Sequence, residues 1–306
     1  MSLITYIYGL FWKCLPSRTL NTKGVKCFNG EHSKERISIL FCCSLTGEKL
    51  TPLVIGKSAN PHALKGYNRA NLGVIYRNNT KAWMTGVIFS EWLLKIDRQF
   101  KSDKNRKVLL FLDNFSGHNV AVIEKLTNVK VLFFPANCTS KLQPLDQGII
   151  ANFKHHYRSD MVRRLIESFD NGGTLITNIH DAISLTVKSW RTIKPACISN
   201  CFKKCGFPLD TIVDEPVSII QTNTVQNDIA KLIAKGVIRQ DFDFNDYVNI
   251  DQDSTIAYMH TDQNLVDMVR ERLALPALNP DVEEEREEVD TAPTIPTKKD
   301  AMEGLR

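Results

Sequence analysis

This 306-residue sequence has no apolar run long enough to span a membrane, no C-x-x-C cysteine pair and no acidic residue among its first 30 positions. No segment reaches the roughly 18 uncharged apolar residues of a membrane-spanning helix, so we expect no membrane partner. None of the eight cysteines forms a C-x-x-C pair, which favours buried thiols in a reducing compartment over a zinc knuckle. Residues 1–30 contain no Asp or Glu, so the start of the chain offers no carboxylate to a metal ion.

Charge is divided unequally along the chain. Residues 1–208 contain 30 Lys and Arg against 13 Asp and Glu, whereas residues 209–306 contain 9 against 21. A strongly basic surface favours association with a phosphate backbone, because neutralised phosphates release counterions. We therefore expect DNA as a partner, the alternative being a basic domain that is merely soluble.

Apolar patterning predicts an α/β domain. The continuous apolar runs at 37–45 and 108–113 are typical of buried strands, and 130–134 is predicted as a further strand. Apolar residues at helical spacing predict amphipathic helices, the first of which begins at the capping residue Thr85. The predicted helices cover 85–100, 149–165, 179–190 and 195–205.

Composition divides the chain into three predicted parts. Residues 1–208 are predicted to form the α/β domain, and residues 209–275 an acidic, mostly helical extension. Residues 276–306 are rich in Pro and acidic residues and bury too little apolar surface to become ordered, so we predict a disordered tail.

Two aspartates occupy positions that suit catalysis. Asp113 ends the apolar run VLLFLD, at the carboxyl end of a predicted central strand, and Asp146 precedes a long basic helix. Two converging carboxylates need cations between them, and magnesium prefers such oxygen ligands. Asn114 and His118 are candidates to orient a ligand carboxylate or to contact a phosphate. The alternative is that the two aspartates are a turn residue and a helix N-cap.

Several strings of this sequence resemble one protein family. SKERISILFCCSLTGEKLTPLVIGKSANP, KVLLFLDNFSGH and LQPLDQGIIANFKHHYR are similar to the DDE superfamily endonuclease domain of Tigger and pogo transposases, a group that includes centromere protein B and jerky-like proteins. The resemblance implies an RNase H-like fold, a mixed central sheet flanked by helices. It also implies magnesium-dependent DNA cleavage by three acids, with Asp113 as the second and Asp146 as the third.

The first acid of the family is missing from the resemblance. It belongs to an N-A-D-E-T-like string before G-L-F, and we expect that string to be absent between Tyr8 and Gly9. Glu31 and Glu35 lie in a different loop. With one ligand fewer, Asp113 and Asp146 would hold magnesium weakly and in poor geometry, so we expect a chain that does not cleave DNA.

DNA binding is the activity that remains in this interpretation. The family's helix-turn-helix modules are expected to be absent, so contacts should be to the backbone and weakly specific. The resemblance also favours a location in the nucleus, and a homodimer stays open. The candidate DNA-binding residues are Lys141, Lys154, His155, Arg158, Arg163 and Arg164, with Lys203 and Lys204 as weaker candidates.

Three alternatives stay open at this stage. The chain is an active magnesium-dependent endonuclease if a faulty gene prediction or splice choice removed the first acid. It is a protein-interaction module without DNA contact if the basic part and the acidic part serve docking. A helix-turn-helix reader at 179–205 is the third, although both of its helices have apolar faces that suit core packing.

Overall fold

Six strands form one mixed sheet in the computed structural model, which describes residues 1–16, 35–112, 120–135, 142–207 and 222–251. The strands are β1 (Ser2–Phe11), β2 (Arg36–Ser44), β3 (Leu53–Gly56), β4 (Ile75–Asn78), β5 (Val108–Leu112) and β6 (Val129–Phe133). Their order in the sheet is β4-β3-β2-β1-β5-β6. β1, β2 and β3 pair antiparallel, whereas β5 and β6 run parallel to β1, and β4 runs parallel to β3.

The described helices cover both faces of this sheet. They are α1 (Gly86–Ser102), α2 (Val120–Ile123), α3 (Ile150–Asp170), α4 (Ile179–Thr192), α5 (Pro195–Lys204), α6 (Thr222–Ala234) and α7 (Phe244–Asn249). Short 3-10 helices at His62–Leu64 and Arg69–Leu72 precede β4, and a turn of π-helix, Leu145–Ile149, leads into α3. The Thr85 side chain accepts a hydrogen bond from the Ile88 amide, which is the N-cap that the sequence predicts for α1.

Strand β1 is continuous through the point where a deletion was expected. It spans ten residues without interruption, and Tyr8 and Gly9 pair with Ile39 and Ser38 of β2. The ten residues of β1 therefore pair without interruption across Tyr8 and Gly9, the point at which the resemblance predicts the missing acid-bearing string.

Alternating side chains of β1 and β2 build a core on each face of the sheet. On one face, Phe41 contacts Phe153 of α3 and Trp190 of α4, with ring centroids 4.6 and 4.5 Å apart. On the other face, α1 packs its Phe89 and Trp92 against the strands. The buried faces of α4 and α5 belong to the first core. This agrees with the apolar faces that the sequence shows for these two helices, the pair in the helix-turn-helix alternative.

Helices α6 and α7 pack on α3. Leu232 of α6 and Tyr247 of α7 share an apolar cluster with Val162 and Leu165 of α3. Both helices belong to the compact unit Met1–Thr261. The proposed boundary at residue 208 and the tail from 276 lie outside the described residues.

The architecture confirms the predicted fold class: an α/β domain with a mixed, RNase H-like central sheet flanked by helices. None of the described helices is both long and apolar enough to cross a membrane.

Candidate active-site edge and nucleic-acid surface

Asp146 lies on a turn that is anchored to the centre of the sheet. Leu145 and Ile149 of this π-helical turn are buried, whereas the Asp146 side chain is exposed. Just before the turn, the buried Gln143 side chain donates from Nε2 to the Thr5 carbonyl of β1, over 2.9 Å. The third expected acid is therefore held beside β1, the strand on which the family's first acid is expected.

The adjacent part of β1 supplies no carboxylate. Its sequence, SLITYIYGLF, places Tyr6 and Tyr8 against the core on the α3 side. Ile4 of β1 is the register partner of Phe111 of β5, and β5 ends at Leu112. Asp113 follows Leu112 in sequence. Four expected site residues lie outside the described residues: Asp113, Asn114, His118 and Lys141.

A carboxylate from the extension does reach β1, but it is fully engaged there. Asp251 accepts a hydrogen bond from the Tyr8 hydroxyl (2.6 Å) and one from the Phe11 amide (2.7 Å). It also forms an ion pair with Arg158 of α3, at 2.6 Å, in which both side chains are fully buried. Burial, followed by the charge of Asp251, raises the pKa of Tyr8 well above its usual value. This network is structural, because every oxygen of Asp251 has a partner within the fold.

This ion pair corrects the prediction that Arg158 contacts DNA. The Arg158 guanidinium donates to Asp251 and to the carbonyls of Phe11 and Cys14, and none of its side chain reaches solvent. A charge buried in this way is matched by its internal partners and is not presented to a phosphate. Sequence reasoning missed Asp251 because it lies 93 residues from Arg158 and has no motif around it.

Two neighbours of Arg158 on α3 are also largely committed to packing. Lys154 is only 9% exposed, and its amine lies 5.1 Å from the centroid of the Tyr8 ring. Burial lowers the pKa of Lys154, opposed by the charges of Asp251 and Asp146. His155 is half-buried, with its ring centroid 5.2 Å from that of Phe244 of α7 in a T-shaped arrangement, and burial lowers its pKa.

The last two candidates on α3 reach the surface but have acidic partners. Arg163 pairs with Asp160 at 2.8 Å, and Arg164 pairs with Asp181 of α4 at 3.2 Å. These partners reduce the positive potential that α3 offers to DNA. We call Lys154, His155 and Arg158, without these two arginines, the covered basic row.

Further exposed basic residues lie on α4 and α5 and in the link between them. Lys188, Arg191 and Lys194 follow one another at three-residue intervals, and Lys203 and Lys204 end α5. The charges of Lys204 and of Asp146 both act on the pKa of Cys205, so this end of α5 lies near Asp146. The three-residue spacing of the first three residues is the sequence signal that could have identified this surface.

The thiol of Cys197 differs from the other described cysteines. A hydrogen bond from the Cys201 side chain and one from the Asn152 amide, 3.3 Å from Sγ, lower its pKa to about 7. Cys201 in turn lies 3.6 Å from the carbonyl oxygen of Gln147, in the turn that carries Asp146. Cys197 is therefore a partly exposed thiol that ionises near neutral pH.

The described residues include one of the two acids that the resemblance assigns to magnesium, Asp146. No group of three or more His, Cys, Asp or Glu side chains in this part of the chain could hold a metal ion. Asp146 stands without a carboxylate on β1, and Asp251 is saturated by its own partners. We derive no cleavage step from this arrangement.

Comparison with known proteins identifies similar sequences. Residues 34–202 match a family model described as DDE superfamily endonuclease. The chain is 32% identical over 200 residues to Tigger transposable element-derived protein 4 of Mus musculus, covering 65% of this chain and 38% of that protein. It is 33% identical over 210 residues to CENP-B homolog protein 2 of Schizosaccharomyces pombe, covering 65% and 40%.

A further relative from the same yeast is ARS-binding protein 1, which is 33% identical over 210 residues and covers 65% of this chain and 39% of that protein. The chain thus spans about two fifths of the length of these relatives.

Proposed function

The chain belongs to the DDE superfamily endonuclease family, and on this premise we propose that it is a transposase-derived domain that binds DNA without cleaving it. Its relatives include proteins derived from transposable elements. In this proposal, Asp113 and Asp146 are the second and third acids of a catalytic set whose first member is missing. A location in the nucleus follows from DNA as the partner.

One observation carries the proposed loss of cleavage: the ten residues of β1 contain no carboxylate. A two-metal mechanism needs ligands that fix both ions in line with the scissile phosphate. Magnesium demands near-octahedral geometry and leaves its water shell reluctantly, so an incomplete ligand set holds it poorly. The turn with Asp146 is nevertheless intact beside β1, which supports a folded domain with a disabled catalytic edge.

The charge distribution supports DNA as the partner. The excess of Lys and Arg over Asp and Glu in residues 1–208 is 17, the difference between 30 and 13. One relative is named an ARS-binding protein, and we extend nucleic-acid binding to this chain as part of the proposal. Lys203 and Lys204 near Asp146, with Lys141, Arg163 and Arg164, are the proposed backbone contacts, whereas Lys154 and His155 contribute less because they are partly covered.

DNA binding is tested by fluorescence anisotropy with a labelled duplex of mixed sequence at several salt concentrations. We expect the logarithm of the affinity to fall linearly with the logarithm of the salt concentration, with a slope of about −0.9 for each phosphate contacted. Lys203→Ala with Lys204→Ala should flatten this slope, whereas Lys95→Ala with Lys101→Ala on α1 serves as the control. Affinity that does not depend on salt would contradict phosphate-driven binding.

The missing carboxylate is tested by a substitution in β1, which keeps the strand at its present length. Tyr6 lies two residues beyond Ile4, as Asp113 lies two beyond Phe111, and Ile4 and Phe111 are register partners. Tyr6→Asp therefore adds a carboxylate to β1 on its α3 side. We expect magnesium- or manganese-dependent nicking of supercoiled plasmid by Tyr6→Asp and none by Tyr6→Asn. Tyr6→Asp combined with Asp146→Asn should not cut, and circular dichroism should show that each variant is folded.

A further inference from the structure

A groove lies on the exposed side of α4. It is a cavity of about 530 Å³ between the 3-10 helix Arg69–Leu72 and α4. Two of its lining residues are apolar, two carry hydroxyl groups and two are basic. The lining residues are Leu72, Ser184, Val187, Lys188, Arg191 and Thr192.

Backbone geometry holds the two walls of the groove together. Gly73, which ends the 3-10 helix, has a left-handed φ of 71°. A Cβ at this position would lie 3.2 Å from Val187 and 3.7 Å from the Arg191 guanidinium, so the loop approaches α4 closely. From the opposite side, the Lys49 amine donates to the carbonyls of Trp190, Arg191 and Ile193 at 2.6 to 2.9 Å. The basic end of the groove is therefore fixed in place before any ligand binds.

An exposed aromatic ring lies one helical turn before the groove. Tyr67 stacks on His180 in the first turn of α4, four residues before the lining residue Ser184, with the ring centroids 4.2 Å apart and the ring planes 26° apart. Tyr67 is 54% exposed. From His180 to Arg191 is a rise of about 16 Å along the helix.

The groove keeps its positive charge after its ion pairs are taken into account. Lys188 pairs with Asp160, but Asp160 also pairs with Arg163, so two cations share one carboxylate. Arg191 is exposed, and within the described ranges no carboxylate forms an ion pair with it. Asp181, at the other end of α4, is paired with Arg164 and also forms the capping box of the helix.

We propose that this groove binds single-stranded DNA, with Arg191 and Lys188 holding phosphates and Tyr67 stacking on an unpaired base. The inference rests on the proposed DNA-binding function and adds a site and a form of DNA to it. Basic residues beside an open aromatic ring are the combination with which proteins hold single strands, since every unpaired base has a face to stack. A duplex would use only the basic residues, because its bases are already stacked on one another.

The test compares two labelled DNAs by fluorescence anisotropy: a single strand of about 12 nucleotides, within the usual site size, and a duplex of the same sequence. Tyr67→Ala should weaken single-strand binding roughly tenfold and leave duplex binding unchanged. Arg191→Ala should weaken single-strand binding and reduce its salt slope by about 0.7. The matched control is Lys95→Ala with Lys101→Ala on α1, which removes the same kind of charge from the other face of the sheet and should change neither affinity.

The outcomes separate this proposal from the proposed function. If the unaltered chain binds duplex but the Tyr67 and Arg191 variants bind the single strand normally, the groove proposal is wrong and DNA binding stands. An equal loss on both DNAs for Tyr67→Ala would also overturn it, because stacking on an unpaired base would then play no part. If the unaltered chain binds neither DNA, the proposed function and the groove proposal both fail.

Discussion

Two basic surfaces of this protein look alike in sequence and differ in the structure. The covered basic row of α3 includes a fully buried ion pair and lies partly under α6 and α7. The groove of α4 presents Lys188 and Arg191 to solvent, and the exposed Tyr67 stacks on His180 one helical turn before it. Both helices place basic residues at helical spacing, so spacing alone does not distinguish a DNA-binding surface from a docking surface for the chain itself.

The difference arises from a segment that is distant in sequence. Asp251 and the apolar side chains of α6 and α7 convert α3 into an internal element, whereas no described segment covers the groove of α4. A buried charge gains its stabilisation from a complete set of partners, and an exposed charge stays available to a ligand. The position of the acidic partners therefore decides which basic residues are used inside the fold and which stay available to a ligand.

Among the substitutions that distinguish the two surfaces, Arg158→Ala should cause the largest loss of stability. It leaves Asp251 buried without its cation, which typically costs roughly 3–5 kcal/mol of the free energy of unfolding. Urea denaturation followed by circular dichroism measures this loss. Arg163→Ala on the same helix is the matched control for an exposed pair, and a similar loss for both variants would mean that Arg158 is not buried as described.

Weakening the packing of α6 on α3 should cause the next largest loss of stability. Leu232 of α6 is fully buried, so Leu232→Ala should lower the free energy of unfolding by about 2–5 kcal/mol through lost contacts and a cavity. Lys231→Ala, at an exposed position one residue earlier, should change it little. Urea denaturation followed by circular dichroism measures both variants. Equal free energies of unfolding for the two would show that α6 does not pack on α3.

Thiol reactivity should also separate the two regions. Cys14 is buried in the cluster under α6 and α7, and burial raises its pKa. Cys197 of α5 has a pKa lowered to about 7, so its thiolate fraction, and with it its labelling by iodoacetamide, should rise roughly tenfold between pH 6 and pH 8. Mass spectrometry of labelled peptides measures both sites. Labelling of Cys14 as fast as that of Cys197 in the folded protein would contradict this difference.

The smallest effect on stability is expected in the groove. Arg191→Ala removes an exposed side chain, so the free energy of unfolding should change by less than about 0.5 kcal/mol while DNA affinity falls. Thermal unfolding and anisotropy on the same preparation measure the two quantities. A stability loss comparable to that of Arg158→Ala would make Arg191 a structural residue and remove the contrast between the surfaces.

Much of the fold follows from local signals in the sequence. The apolar runs predict β2, β5 and β6, and the Thr85 cap with its helical spacing predicts α1, because these signals reflect contacts that any central sheet requires. The short edge strand β4 and the Lys49 contacts to α4 have no such local signal. Of the candidate site, the position of Asp146 before α3 was predicted, but the burial of Arg158 depends on Asp251 and could not be.

The central claim is that this domain binds DNA and does not cut it, and one experiment measures both properties. The unaltered chain is incubated with supercoiled plasmid in magnesium and then in manganese, and each reaction is divided between a mobility-shift gel and a denaturing gel. We expect a shifted plasmid that stays uncut under both metals. Nicking that disappears in Asp146→Asn would contradict it, because the ligand missing from β1 would then come from another residue.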